Sequence, residues 1–76
     1  MTKIPDLDLH GVKHEDVSKI LDAFIWENMK LKERHIGIVT GNSEHMKKIV
    51  NDLLKEYGYV SEQSMVNSGL LYVTLD

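Results

Sequence analysis

Apolar side chains recur along this chain with two different spacings, and each change of spacing marks the start of a new predicted element. Residues 7–10 alternate apolar and polar, as in a strand with one buried face. Across residues 15–30 the apolar positions recur every three or four residues, which predicts an amphipathic helix. A second helix is predicted over residues 46–57, where the apolar spacing is the most regular in the chain.

Three further segments are predicted to be strands. Residues 35–40 are apolar at both odd and even positions, which indicates a central strand covered on both sides. Residues 59–66 and 70–75 flank a turn signal at residues 67–69, which predicts an antiparallel pair. The order is β-α-β-α-β-β, and each βαβ unit predicts parallel pairing. We expect an α/β two-layer sandwich, with a four-stranded mixed sheet and both helices on one face.

Length and composition narrow the class of protein. The chain has 76 residues, which supports one core, so residues 1–76 are assigned to a single domain. There is no cysteine, so disulfides, thiolate metal sites and thiol nucleophiles are excluded. No stretch approaches the ~20 apolar residues of a membrane span, and residues 1–6 lack the apolar run of a signal peptide. We therefore expect a cytoplasmic protein that has no membrane partner.

The predicted topology brings two strand-to-helix loops to one edge of the sheet. Ligands of parallel α/β sheets bind at the carboxyl ends of the strands, where helix N-termini offer free N–H groups suited to phosphate. Glycines in both loops allow sharp turns, and either Asn42 or Ser43 can cap the second helix. The candidate site at this edge consists of Asp8, His10, Gly11, Thr40, Gly41, Asn42, Ser43 and His45.

Asp8 and His10 are the candidate catalytic residues, because they share a parity and point off the same face of the first strand. A carboxylate and an imidazole beside a phosphate site can hold a divalent cation, activate water or donate a proton. The alternative is that Asp8 is a solvated strand residue and His10 hydrogen-bonds the turn. His45 is either a base that faces the ligand or a solvated or capping residue. No spacing of ligand residues predicts a structural metal site.

The charge balance restricts how such a site would contact a polyanion. Nine Lys/Arg residues against twelve Asp/Glu give a net charge of −3, whereas nucleic-acid binders usually carry a basic face. Lys47 and Lys48, near the start of the second helix, are either phosphate contacts or a solvated face. The basic cluster at residues 30–34 is expected at the opposite end of the sheet. Trp26 is expected to pack against the rest of the domain.

Four of these segments resemble motifs of the Smr (small MutS-related) domain family. Residues 7–11, Leu-Asp-Leu-His-Gly, are similar to the motif that opens Smr domains. Residues 40–43 stand where the family has Thr/His-Gly-x-Gly, although the second glycine and a usually basic middle residue are replaced here. Residues 46–54 resemble the family's Leu-Arg-x-x-Val-x-x-x-Leu helix, and residues 72–75 resemble its closing strand.

The resemblance implies a stand-alone Smr domain that acts on nucleic acid. Smr domains are associated with nicking endonuclease activity, with RNA cleavage, and with binding to nucleic acid or ribosomes. In a metal-assisted endonuclease using Mg²⁺ or Mn²⁺, His10 or Asp8 would activate water and the Gly41 loop would hold phosphate. Lys47 would offset the negative charge that develops on the phosphate during the reaction.

The replacements in the loop at residues 40–43 affect the expected catalysis more than the expected fold. The alternatives are a non-catalytic nucleic-acid- or ribosome-binding module and a small protein-interaction domain. The sequence does not choose between DNA and RNA or fix the oligomeric state.

Overall fold

Each apolar segment of the sequence becomes a strand or a helix close to its predicted limits. The computed structural model describes residues 4–75. The elements in this part of the chain are β1 (Asp6–Asp8), α1 (His14–Lys30), β2 (His35–Val39), α2 (Glu44–Glu56), β3 (Ser61–Gln63) and β4 (Leu70–Thr74). The predicted order β-α-β-α-β-β and the four-stranded mixed sheet are confirmed.

The strands lie side by side in the order β1-β2-β4-β3. β1 pairs with β2 in parallel, whereas β4 pairs antiparallel with both β2 and β3. The expected parallel direction therefore holds for both βαβ units, since β2 and β3 are each antiparallel to β4. β1 and β2 pair directly, whereas β2 and β3 do not, because β4 lies between them. Leu71 and Val73 of β4 are buried, and each lies opposite an isoleucine of β2. β3, with the polar sequence Ser-Glu-Gln, is suited to a sheet edge.

The helices cover one face of this sheet. Ile36 is opposite Val73 and Ile38 is opposite Leu71 in the register of β2 and β4, and all four side chains are buried while Tyr72, between them, is partly exposed. α1 and α2 lie beside each other on the buried face and contact one another. The apolar core consists of Leu9, Val17, Leu21, Ile25, Ile36, Ile38, Met46, Val50, Leu54, Leu71, Val73 and Leu75.

The third strand is much shorter than residues 59–66. Gly58 has a φ of +86°, and the Tyr59 N–H donates to the Leu54 carbonyl, so both residues belong to the C-terminal cap of α2. At the other end, the Ser64 hydroxyl accepts from the N–H groups of Val66 and Asn67, which turns the chain away from the sheet.

Two side chains depart from their expected burial. Trp26 is 62% exposed, so the expectation that it packs is wrong; it lies outside the buried stripe of α1, whose members are Val17, Leu21, Ile25 and Asn28. In α2 the buried stripe includes Lys47, which the apolar spacing had left outside. No helix in residues 4–75 is long and apolar enough to cross a membrane.

Candidate functional site

Three loops, rather than the two predicted, meet at the carboxyl ends of β1 and β2. The β3–β4 loop (residues 64–69) joins them, because the Gly69 carbonyl accepts from the N–H groups of Thr40 and Gly41 at 2.7 and 3.2 Å. A Cβ added to Gly69 would stand 3.0 Å from backbone atoms of Gly41, so the backbones of these two loops are in contact. The Ser68 hydroxyl also donates to the Asn42 side chain at 2.9 Å. We call this region the three-loop edge, formed by residues 8–12, 40–43 and 64–69.

His10 stands at the centre of the three-loop edge. Its backbone follows Leu9, which is fully buried and whose N–H donates to the Val39 carbonyl at 2.8 Å. This anchor fixes the chain just before the loop. The His10 side chain is exposed, yet one side of its ring lies against Gly41, where an added Cβ would stand 3.1 Å from His10 Cδ2. The β1–α1 loop therefore reaches the β2–α2 loop through this imidazole.

Asp8 supports His10 through the backbone. Its Oδ1 accepts from the His10 N–H at 2.9 Å, which is the side-chain turn typical of aspartate at a bend. Both residues are exposed. The carboxylate therefore fixes the backbone from which the imidazole extends. Besides the solvated and the catalytic roles, Asp8 therefore has a third possible role, which is to position His10.

The N-terminus of α2 faces the same edge. Ser43 caps the helix, since its side chain accepts from the Met46 N–H at 3.1 Å; Asn42 instead pairs with Ser68. The N–H groups of Glu44 and His45 lie in the first helical turn, where helix geometry gives them no intrahelical acceptor. Thr40 is buried and its hydroxyl lies 3.3 Å from the Gly69 carbonyl, so Thr40 holds two loops together.

Both glycines of the predicted site adopt a left-handed backbone conformation, which residues other than glycine rarely take. Gly11 has a φ of +81° and Gly41 a φ of +69°, both in the left-handed region. Gly11 is exposed, and nothing lies within 4 Å of a Cβ added there. Gly11 therefore shapes its loop without touching the other two, whereas Gly41 is the point where all three meet.

His45 forms a contact that sequence reasoning did not foresee. Its ring stacks on that of His14, with ring centroids 4.4 Å apart and an interplanar angle of 15°. His14 is the first residue of α1 and His45 the second of α2, so the stack joins the two helix N-termini. Both residues are exposed. Nothing in the sequence around His14 indicates this contact, and only the side-by-side placement of the helices reveals the pair.

Lys47 and Lys48 lie on the flank of α2 rather than among the three loops. The Lys47 side chain is only 10% exposed, and its ammonium is 3.5 Å from the Glu44 carboxylate. Lys48 is exposed and 2.9 Å from the Asp52 carboxylate; this hydrogen bond lowers the pKa of Asp52 and raises that of Lys48. Both lysines line a polar groove together with Glu44, Asn51, Asp52, Ser61, Gln63 and Leu71.

Metal-ligating side chains do not gather at this edge. In residues 4–75 no group of three or more His, Cys, Asp or Glu side chains is placed to hold an ion. Asp8 offers one carboxylate oxygen beyond its hydrogen bond to His10. Mg²⁺ is often held by one or two carboxylates together with substrate phosphates, and residues 4–75 do not form a complete cation site of their own.

These elements define a small two-layer α/β domain whose three loops converge beyond the carboxyl ends of the parallel strands. The chain belongs to the Smr domain family, whose model matches residues 7–76. The Smr domain of MutS2 from Thermus thermophilus is similar, with a TM-score of 0.87 at 14% identity, covering 96% of this chain and 99% of that one. The Smr domain of NEDD4-binding protein 2 gives a TM-score of 0.75 at 20% identity, covering 100% of this chain and 90% of that one. At these identities the likeness shows a shared fold. No curated protein matches the chain by sequence.

Proposed function

We propose that this chain is a nucleic-acid-acting module that contacts phosphate at the three-loop edge and uses His10 to transfer a proton there. Smr domains are associated with nucleic-acid-related proteins, which supports a nucleic acid, free or within a ribosome, as the partner. The family does not by itself distinguish cleavage from binding, so the proposal depends on the geometry of the edge. The location proposed for this activity is the cytoplasm.

The observation that carries the proposal is the placement of His10 against Gly41. An exposed imidazole stands beside the loop that leads into α2, and the first N–H groups of that helix present partial positive charge at the same place. A phosphate held by those N–H groups would lie next to an imidazole, which can accept or donate a proton. Phosphodiester hydrolysis needs such a group, to take a proton from the attacking water or to give one to the leaving oxygen.

The charge distribution limits the contact to a few phosphates. The net charge is −3; Lys47 lies 3.5 Å from Glu44, and the exposed Lys48 lies 2.9 Å from Asp52. We propose that backbone N–H groups, Asn42 and Ser43 supply most of the phosphate contacts, with Lys48 adding one charge. Gly11 and Gly41 shape the loops, and Thr40 holds the second loop to Gly69.

The expected Mg²⁺ or Mn²⁺ has no complete ligand set among the described residues. A divalent ion at this edge would be held largely by the phosphates of the substrate, with Asp8 as its one carboxylate. When bound, such an ion would polarise the phosphate. No step assigned here to His10, Asp8 or the loops depends on it.

Binding without cleavage is the second candidate, and one observation favours it. The Asp8 carboxylate is engaged by the His10 backbone N–H, whereas the carboxylate that orients a catalytic histidine usually accepts from its imidazole ring. In this alternative the same edge holds RNA, DNA or a ribosomal surface, and His10 contributes a hydrogen bond to phosphate.

The test is an incubation of the protein with labelled structured DNA and structured RNA, each with Mg²⁺, with Mn²⁺ and with a chelator. Cleavage that depends on His10 supports the full proposal. Retarded mobility without cleavage supports the binding alternative. Neither binding nor cleavage of any substrate would overturn both, and would leave a protein-interaction domain, for which the exposed Trp26 is the natural contact. Comparing the DNA and RNA arms identifies the preferred nucleic acid.

A further inference from the structure

The β3–β4 loop carries two apolar side chains that contact nothing in the domain. Met65 is 101% exposed and Val66 is 95% exposed relative to the free residue. They are adjacent in sequence, and both lie in the loop between β3 and β4. Leaving both in water forfeits the hydrophobic stabilisation that burial provides, so folding gives no reason for their placement.

The loop that presents these side chains is tied at both ends. Ser64 is buried; its N–H donates to the Leu70 carbonyl at 2.9 Å, and its hydroxyl accepts from Val66 and Asn67. Asn67 in turn accepts from the Gly69 N–H at 2.9 Å. These bonds close the loop on itself and hold residues 65 and 66 outward.

The apolar tip, defined as Met65 and Val66, is part of the three-loop edge. Two residues beyond Val66, the Ser68 hydroxyl donates to Asn42, and Gly69 lies against the backbone of Gly41. A nucleic acid whose phosphate sits at the N-terminus of α2 would therefore meet the tip within the same contact.

We infer that Met65 and Val66 form an apolar wedge that contacts the faces of unstacked bases, so that the preferred substrates contain a bulge, loop or junction. This inference rests on the proposed function. Apolar side chains such as methionine insert between base steps in several nucleic-acid binders, and the cost of unstacking falls when the bases are already unpaired. The neighbours of the tip are polar hydrogen-bonding groups, Asn67, Ser68 and Asn42, which suit a sugar–phosphate backbone better than the apolar core of a protein interface.

The experiment compares the wild-type chain with a Met65→Ser/Val66→Ser double variant. Binding is measured to a continuous duplex and to the same duplex carrying a bulged nucleotide, with a fluorescent purine analogue beside the bulge. Val60→Ser is the matched control, because Val60 is an exposed apolar residue at the other end of β3. Thermal melts establish that all three proteins fold.

We expect wild type and Val60→Ser to prefer the bulged duplex and to raise the fluorescence of the analogue. The double variant should lose that preference by on the order of 5-fold, near the lower end of the value of a base-stacking contact, while binding the continuous duplex as wild type does. Equal preference in wild type and the double variant would overturn the wedge and leave the proposed function intact. Equal loss on both substrates would also overturn it. If the wild type binds neither substrate, the proposed function fails and the wedge with it.

Discussion

The imidazole of His10 lies against the backbone of Gly41, so close that a Cβ on Gly41 would stand 3.1 Å from His10 Cδ2. Gly41 is thus constrained twice, by this contact and by its φ of +69°. The contact with His10 links the loops that follow β1 and β2, whereas the positive φ concerns only the loop that contains Gly41. A glycine elsewhere that has a positive φ but no such contact allows the two effects to be measured separately.

Gly41→Ala should both strain the backbone and displace His10. The left-handed conformation costs a non-glycine residue about 1–2 kcal/mol, and the new methyl group would push the imidazole away from the loop. Gly58→Ala is the control, because Gly58 has a φ of +86° but nothing within 4 Å of an added Cβ. Urea unfolding should give similar losses for both variants, whereas nucleic-acid affinity should fall only for Gly41→Ala. Equal affinities would remove the His10–Gly41 contact from the binding site.

Replacing Lys48 tests where the nucleic acid lies. If the edge contacts few phosphates, the log–log dependence of affinity on salt should have a slope of about −2 to −4, and Lys48→Gln should make it shallower by about 1. Lys30→Gln, at the end of α1, removes an equal charge and should leave the slope unchanged. Lys47 is unsuitable for this test because it is buried, and its replacement would disturb packing. A slope that responds to Lys30 alone would move the contact to residues 30–34.

Most of the fold follows from the spacing of apolar residues, and the exceptions have local causes. The helix limits were predictable because Lys30 and Gly58 stand close to the points where the two apolar stripes stop. The strand order was not predictable, because the βαβ rule gives the relative direction of two strands but does not say whether another strand lies between them. In the structure β4, whose side chains are more buried than those of β3, lies between β2 and β3. The third strand was overestimated because its apolar residues, Met65 and Val66, resemble strand residues and are in fact exposed.

The site was predictable where it depends on topology and missed where it depends on tertiary contact. The loops after β1 and β2 lie together because the strands are parallel. The third loop was present in the sequence only as a turn signal at residues 67–69, and nothing in it indicates contact with Gly41. Likewise the His14–His45 stack depends on how α1 and α2 lie beside each other, which no spacing within either helix encodes.

Leu54 and Leu53 are adjacent in α2 and should respond differently to truncation. Leu54 is 1% exposed, whereas Leu53 is half-buried at the margin of the core. Leu54→Ala should lower the free energy of unfolding by about 2–5 kcal/mol, because it leaves a cavity. Leu53→Ala should cost no more than about 1–2 kcal/mol, because part of that side chain is already solvated. Denaturant melts of the two variants check this, and equal costs would mean that the helix is rotated from the position described.

Tyr57 should make stability depend on pH in the alkaline range. Burial and the hydrogen bond that its hydroxyl donates to Asp22 at 2.9 Å raise the pKa of Tyr57 above 10.0. A pKa raised by folding gives stability that is complete below the unfolded pKa and is lost as pH rises through the folded pKa. Because Tyr57 is 38% exposed and solvent weakens this hydrogen bond, Tyr57→Phe should lower the free energy of unfolding at neutral pH by no more than about 0.5 kcal/mol. The gap between wild type and variant should shrink above pH 10, and a gap that stays constant into that range would contradict the assignment.

His10→Ala is the decisive variant for mechanism. The side chain is exposed and outside the core, so a thermal melt should change little, while loss of a positioned acid or base should reduce cleavage by at least ~100-fold. His35→Ala is the matched control, because His35 is an exposed histidine at the start of β2, the opposite end of the strand from the three loops. Paired cleavage and melting assays on the three proteins separate the outcomes. A folded His10→Ala protein that cleaves at the wild-type rate would leave Asp8 as the candidate, and an unfolded one would make His10 structural. If no protein cleaves and His10→Ala only weakens binding, the three-loop edge holds nucleic acid without cutting it.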